Sequence, residues 1–407
     1  MNQELLRNYA RLTVNIGINL QKGQEVKIYA STSAAYFAEI LVEEAYLSGA
    51  KKVSVEWNNE AITKLKYLNE DVTTLSDIRE AEIAKAREDS EILPCKIYVD
   101  DADPDALNGV DIEKMQTASA ARYKVIKPYR DLEDNNDQWC IVAIPSKAWA
   151  AKVFPELDAN EGVAKLWEAI IKCARLEGDV VNNWHQHIAY LTEKADKMNA
   201  LNLDYLQYKA SNGTDLRLKL QPNHAWIAAS ETNLKGVNFV ANMPTEEVFT
   251  MPKRDGVDGV VYSTKPLSLH GQLVEDFKVV FKEGKAVEVS AKRGQDVLEG
   301  MLNMDESSRH LGEVALVPFN SPINETGLLF YNTLFDENAC CHLAFGCAFK
   351  NNIKGYENMS EEDFKAVGYN DSLNHVDFMI GAKDLEIIGV DHNGLSHQIF
   401  KDGVWAI

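Results

Sequence analysis

Glu25-Val-Lys-Ile-Tyr-Ala30 is an apolar-rich run, residues 34–46 repeat their apolar side chains at helical spacing, and Lys52-Val-Ser-Val-Glu-Trp57 is a second strand-like run. Within 34–46, Phe37, Ile40, Leu41 and Ala45 share one helical face. Strand, helix, strand in that order predicts two parallel strands joined by a crossover helix, because parallel neighbours cannot be linked by a tight hairpin. The pattern extends in both directions. Leu5, Leu6, Tyr9, Ala10, Leu12 and Val14 recur at helical spacing before it, and residues 92–99 and 139–144 read as a third and a fourth strand after it. Residues 1–201 are therefore expected to form an α/β domain with a parallel sheet. No Gly-x-Gly-x-x-Gly follows any of these strands and no Walker phosphate loop is present, so the usual nucleotide fingerprints are absent.

Two features of this half resemble sites and are read as structure. Asp101-Ala-Asp-Pro-Asp105 has calcium-loop spacing, but Ala106 replaces the required glycine and Ile112 stands where the bidentate glutamate belongs. It reads as a turn, with Asp111 capping the helix that follows. His185 and His187 lie in a helical, charged region, 159–201, which ends the first domain and bridges to the second. Two residues apart on a helix diverge by about 200°, so this pair cannot share a ligand and is assigned to surface or packing.

From 202 to 407 the pattern changes to strands and turns, predicting a β-rich α+β domain. Leu216, Leu218 and Leu220 alternate with Arg217 and Lys219, and residues 277–281 and 286–290 flank a turn at Lys282-Glu-Gly-Lys285. Residues 385–390 and 396–400 flank another at Asp391-His-Asn-Gly394, and 295–302 is the clear helical interruption.

Composition sets limits on partners. The 407 residues are 45% hydrophobic and 26% charged, a normal globular balance, and the length suits two domains. With 62 acidic against 42 basic residues the formal charge is −20, which argues against nucleic acid and anionic membranes as partners. No leader pattern and no bilayer-spanning apolar segment is seen, and the six cysteines show no disulfide spacing, so a cytoplasmic protein is expected.

Chemistry-bearing residues collect late in the chain. In Asn374-His-Val-Asp-Phe-Met-Ile-Gly381 the alternation predicts a strand with His375 and Asp377 on one face and Val376 and Phe378 on the other. A neutral imidazole nitrogen beside a charged carboxylate oxygen suits a divalent metal. Cys340, Cys341 and Cys347 surround His342, but no Cys-x-x-Cys accompanies them, and they read as buried apolar cysteines. Upstream, Pro244 biases Met243 toward an extended conformation before the strand-like Val248-Phe-Thr250. The adjacent Glu246 and Glu247 are then expected to face opposite sides. Glu313 opens the apolar run Val314-Ala-Leu316.

Taken together, Asn242-Met-Pro-Thr-Glu-Glu-Val-Phe-Thr250, Leu311-Gly-Glu-Val-Ala-Leu-Val-Pro318, Phe330-Tyr-Asn-Thr-Leu-Phe-Asp-Glu-Asn-Ala339, His342-Leu-Ala-Phe-Gly346 and His375-Val-Asp-Phe-Met-Ile-Gly381 resemble the thermophilic-aminopeptidase family of metallopeptidases. The N-terminal half is similar more loosely, at Pro145-Ser-Lys-Ala-Trp149 and Val153-Phe-Pro-Glu-Leu157. The resemblance implies a cytoplasmic homodimeric aminopeptidase with an enclosed active site, acting on short peptides through two divalent metal ions and a metal-bound hydroxide. Zinc, cobalt and manganese all suit such ligands. It further implies that Glu247, Glu313, His342, His375 and Asp377 bind the metals, with Glu313 or Asp377 as the bridge and Glu313 also catalytic.

One departure bears on activity. Phe349 stands where the family carries a tyrosine seven residues after the first histidine, and Phe has no oxygen to offer. Loss of one transition-state donor costs about 10²–10³ in rate. The alternative expectation is thus a metal-binding homologue with weak or no peptidase activity. Lys253 and Tyr356 also replace residues common in the family and bear on the shape of the substrate pocket.

Overall fold

The computed structural model describes residues 3–269 and 271–407. The chain forms two compact units, one of residues up to His185 together with Ser230–Pro244, the other of Gln186–Ala229 and Thr245–Ile407. The division falls inside the long helix Val180–Leu201, earlier than its end at 201 where the sequence reading put it. Residues 230–244 return to the first unit because Asn242–Met243 is hydrogen-bonded alongside Trp139–Ala143, a pairing that no periodicity announces.

The first unit is a parallel five-stranded sheet in the order Asn242–Met243, Trp139–Ala143, Cys95–Asp100, Glu25–Ser31, Lys52–Asn58. Val26, Ile28, Ala30, Ile97 and Val142 are buried along its strands, as expected of a sheet covered by crossover helices. Tyr9 illustrates how polar atoms are satisfied there. Its ring is buried against Phe37, while its hydroxyl accepts from Ala143 N at 3.1 Å and donates to Ala143 O at 3.3 Å. The third strand starts at Cys95, not at residue 92. Helix Glu80–Ile92 runs through Ile92 and ends on Leu93 in the left-handed region (φ 53°), directly before Pro94, which cannot continue a helix. Asp111 caps its helix as expected, accepting from Lys114 N at 3.1 Å.

The second unit consists mainly of antiparallel sheet. Five strands run in the order His375–Met379, His342–Gly346, Leu311–Leu316, Val248–Thr250, Ile227–Ala228. A larger sheet contains Gln272–Lys282 paired with Lys285–Arg293 and Glu386–Asp391 paired with Ser396–Lys401, the two hairpins read from the sequence. Phe277, Phe281, Phe345 and Phe378 form a continuous aromatic cluster in the core, with ring centroids 4.9–5.9 Å apart between successive partners. This fixes one face of the five-stranded sheet as apolar. Leu343, Phe345 and Phe378 point into the core, so strand alternation turns His342, Ala344, His375 and Asp377 to the other face.

A buried histidine in this unit generates a test of the packing. His224 is 2% exposed, its Nδ1 bonded to Gln221 O at 2.9 Å, while its Nε2 has no partner among the described residues. Burial lowers its pKa to about 4, against about 6.5 in an unfolded chain. Between those values the unfolded chain binds the proton more tightly, so stability falls as pH drops through that window and this loss levels off below about pH 4. From pH 6.5 to 5 the group should cost about 2 kcal/mol. Urea unfolding should therefore show the wild type losing stability faster than His224→Gln over that interval. Parallel curves would contradict the assignment.

Candidate metal centre

Four neighbouring segments of one sheet deliver the ligand candidates. Glu247 immediately precedes Val248–Thr250, Glu313 lies on Leu311–Leu316, His342 opens His342–Gly346, and His375 and Asp377 lie on His375–Met379. Register brings them together. Ala344 is opposite both Glu313 and Asp377, Ala315 is opposite His342, and Gly346 is opposite His375. Small residues thus sit across from Glu313, Asp377 and His375 and on one side of His342, and leave room between the functional groups. The Leu311–Leu316 strand carries an irregularity at Gly312, where a side chain is excluded. A Cβ there would lie 2.3 Å from Cys347 O and 2.4 Å from Gly346 O.

The resulting distances are short. His342 Nε2 lies 3.2 Å from Glu247 Oε2 and 3.3 Å from Glu313 Oε1, with Asp377 Oδ1 at 3.8 Å. His375 Nε2 lies 3.5 Å from Glu313 Oε2 and 3.4 Å from Asp377 Oδ1. Two groups of potential ligands follow, Glu247–Glu313–His342 and Glu313–His375–Asp377, each with ligand atoms within 4.8 Å of one another. Glu313 is common to both. All five residues singled out in the sequence are brought together. The His375 Nδ1 is 2.7 Å from the Cys347 carbonyl oxygen, which can only accept, so Nδ1 carries a proton and Nε2 is the nitrogen turned toward Glu313 and Asp377.

The electrostatics fit a cation. The carboxylates of Glu247, Glu313 and Asp377 are joined by Glu337, whose side chain bonds to Asp377. Four carboxylates against two imidazoles leave an excess of negative charge in a largely buried space. Burial, and then the charges of Asp377 and Glu247, push Glu337 well above the usual carboxylate range. Burial raises Glu313 too, opposed by its hydrogen bond to His342. For the histidines burial acts downward but is overcome. Glu247 and Glu313 hold His342 well above its ordinary value, and Asp377 and Glu313 hold His375 at about 10. Protons take up charge that a set of this composition is suited to give to divalent ions, and the donor set of carboxylate and imidazole fits them.

The remaining assignments sort as follows. Glu246 and Glu247 do point to different partners, although residues 244–247 are not strand: Glu247 meets His342, whereas Glu246 Oε2 lies 3.9 Å from His187 Nε2. Phe349 is 43% exposed, and its ring centroid is 4.9 Å from that of His375 and 6.0 Å from that of Phe249. Cys340 and Cys341 are buried, free thiols, their pKa values raised by burial, and no cysteine belongs to either ligand group among the described residues. Sequence reasoning assigned no role to Glu337 or Asn338, which lie on a short helical turn within 330–339, and left His187 to surface or packing. The only signal for the first two was their inclusion in that family-like stretch.

A donor set of this composition suits divalent ions, and comparison with known proteins shows the class of protein that carries it. Residues 2–405 match the family described as thermophilic metalloprotease (M29). Aminopeptidase AmpS of Bacillus subtilis (strain 168) is 44% identical over 404 residues, 98% of each chain. Aminopeptidase PepS of Streptococcus thermophilus is 40% identical over 408 residues, covering 100% of this chain and 98% of the relative. The solved structure of wild-type AmpT from Thermus thermophilus is similar with a TM-score of 0.92, at 36% identity over 100% of both chains. The chain belongs to the M29 family of thermophilic metalloproteases.

Proposed function

We propose that this protein removes N-terminal residues from short peptides at a centre of two divalent ions. Its broad character, a metalloaminopeptidase, follows from family membership and from relatives that are aminopeptidases along their whole length. The two-ion reading rests on one observation, that two three-ligand groups meet at Glu313. In this reading Glu247, Glu313 and His342 would hold one ion and Glu313, His375 and Asp377 the other, with Glu313, the residue common to both groups, favoured over Asp377 as the shared ligand. Glu337, bonded to Asp377, adds a further carboxylate on that side.

When bound, such ions polarise a scissile carbonyl and bring the pKa of a water toward about 7. The chain's own residues do the rest. Cys347 O fixes the His375 ring so that Nε2 faces Glu313 and Asp377. Glu337 sets a further carboxyl group beside Asp377, a position from which it can accept or pass on a proton. Zinc, cobalt and manganese each suit the donor set.

The same reading makes the protein a cytoplasmic homodimer. Its cysteines are free, as in a reducing compartment, and no described helix is long and apolar enough to cross a membrane. Helix Glu60–Asn69 buries none of its residues and exposes Ile62, Leu65 and Leu68 at three-residue spacing, which supports an interface.

Metal-stripped protein should fail to cleave aminoacyl-nitroanilides, recover with added zinc, cobalt or manganese, and stay inactive on N-acetylated substrates. Cleavage that survives stripping, or acetylation, would contradict the proposal. Phe349 motivates a second reading, a metal-binding homologue with little turnover, because its ring lies against His375 without an oxygen. On that reading the wild type binds metal yet is nearly silent, and Phe349→Tyr raises the rate by about 10²-fold. Brisk wild-type turnover that Phe349→Tyr leaves unchanged would exclude it.

A further inference from the structure

His187 and Asn338 lie outside both ligand groups, yet both hold the segment that carries Glu247. Residues Thr245–Glu247 belong to no helix or strand, so no regular backbone ladder fixes them. His187, on the helix Val180–Leu201 and 6% exposed, has Nε2 2.7 Å from Thr245 O. A carbonyl oxygen only accepts, so Nε2 carries the hydrogen and donates. Glu246 Oε2, 3.9 Å from the same nitrogen, favours that donor electrostatically. Asn338 is fully buried and acts from a second direction. Its Oδ1 accepts from Glu246 N at 2.7 Å, and its Nδ2 donates to Leu334 O at 3.1 Å and to Glu337 Oε1 at 3.3 Å.

These bonds grip consecutive residues. Thr245 is held at its carbonyl and Glu246 at its amide, the two ends of one peptide unit, and Glu247 is the next residue along. Fixing that unit orients the Glu247 carboxylate toward His342 at 3.2 Å. We propose that His187 and Asn338 are positioning residues that clamp the Thr245–Glu246 peptide and thereby set the affinity of the ion held by Glu247 and His342. The ion on the His375–Asp377 side depends far less on this clamp, because its ligands stand on hydrogen-bonded strands, and only Asn338 reaches that side, through Glu337. This inference rests on the two-ion reading above.

The test is metal binding, followed by calorimetric titration of stripped protein with zinc, with melting temperatures recorded alongside. The wild type should take two ions. His187→Phe and Asn338→Ala, made separately so that either suffices, should each weaken one site by about 10- to 100-fold, the range seen for residues that orient a metal ligand. In His187→Phe the other site should change by less than about threefold, a small shift on that scale, whereas Asn338→Ala also releases Glu337 and is read at the Glu247 site. Glu247→Gln should affect the same site, and adding His187→Phe to it should cause little further loss. His187→Gln, whose side-chain amide can still donate to Thr245 O, should bind both ions much as the wild type does. Equal weakening of both sites together with a lowered melting temperature would mean ordinary packing, and unchanged binding in the variants would mean no role; either overturns the inference while leaving the two-ion reading intact. A wild type that takes fewer than two ions overturns both.

Discussion

The site depends on a carboxylate, Glu313, held between two imidazoles on one face of a sheet whose other face is apolar core. Strand alternation makes this possible. On His342–Gly346 and His375–Met379, every second side chain enters the aromatic cluster of Phe345 and Phe378, and the intervening ones form the ligand wall. The core fixes register, because a slip by one residue would exchange the two faces entirely. Packing and chemistry are therefore set by the same hydrogen-bonded ladder, with Ala344, Ala315 and Gly346 providing the space.

That arrangement is electrostatically expensive in the absence of cations. Burying Glu247, Glu313 and Asp377 together costs desolvation and repulsion, and a carboxylate cluster placed against a core does not serve folding. The raised pKa values of Glu313, Glu337, His342 and His375 express that tension. Stability has to come from elsewhere in the unit, chiefly from the two packed sheets and their aromatic cluster, so ligand geometry rides on a scaffold that does not need the ligands.

Much of this was legible in the sequence wherever a short-range rule applies. The face shared by His375 and Asp377 follows from period-two alternation, and the hairpins around Glu283-Gly284 and Asn393-Gly394 follow from turn chemistry. Motif resemblance gathered Glu247, Glu313 and His342 into the same set. What escaped depends on tertiary contact. The return of 230–244 to the parallel sheet turns on a two-residue strand, too short to carry a period. Ile92 is apolar enough to start a strand and instead ends a helix, decided by Leu93 and Pro94 beside it. His187 looked idle because its helical neighbour His185 cannot share a ligand with it, whereas its partner is a carbonyl 58 residues away.

Phe349 stands where the resemblance read from the sequence expects a tyrosine, while the five expected ligand residues are brought together, so metal binding and turnover are separable questions. The most direct test of the central claim is anomalous diffraction from crystals grown with zinc. The account predicts two peaks on the ligand face of the five-stranded sheet, one near Glu247 and His342 and one near His375 and Asp377, with Glu313 in contact with both. A single peak, or two peaks that do not share Glu313, would contradict it.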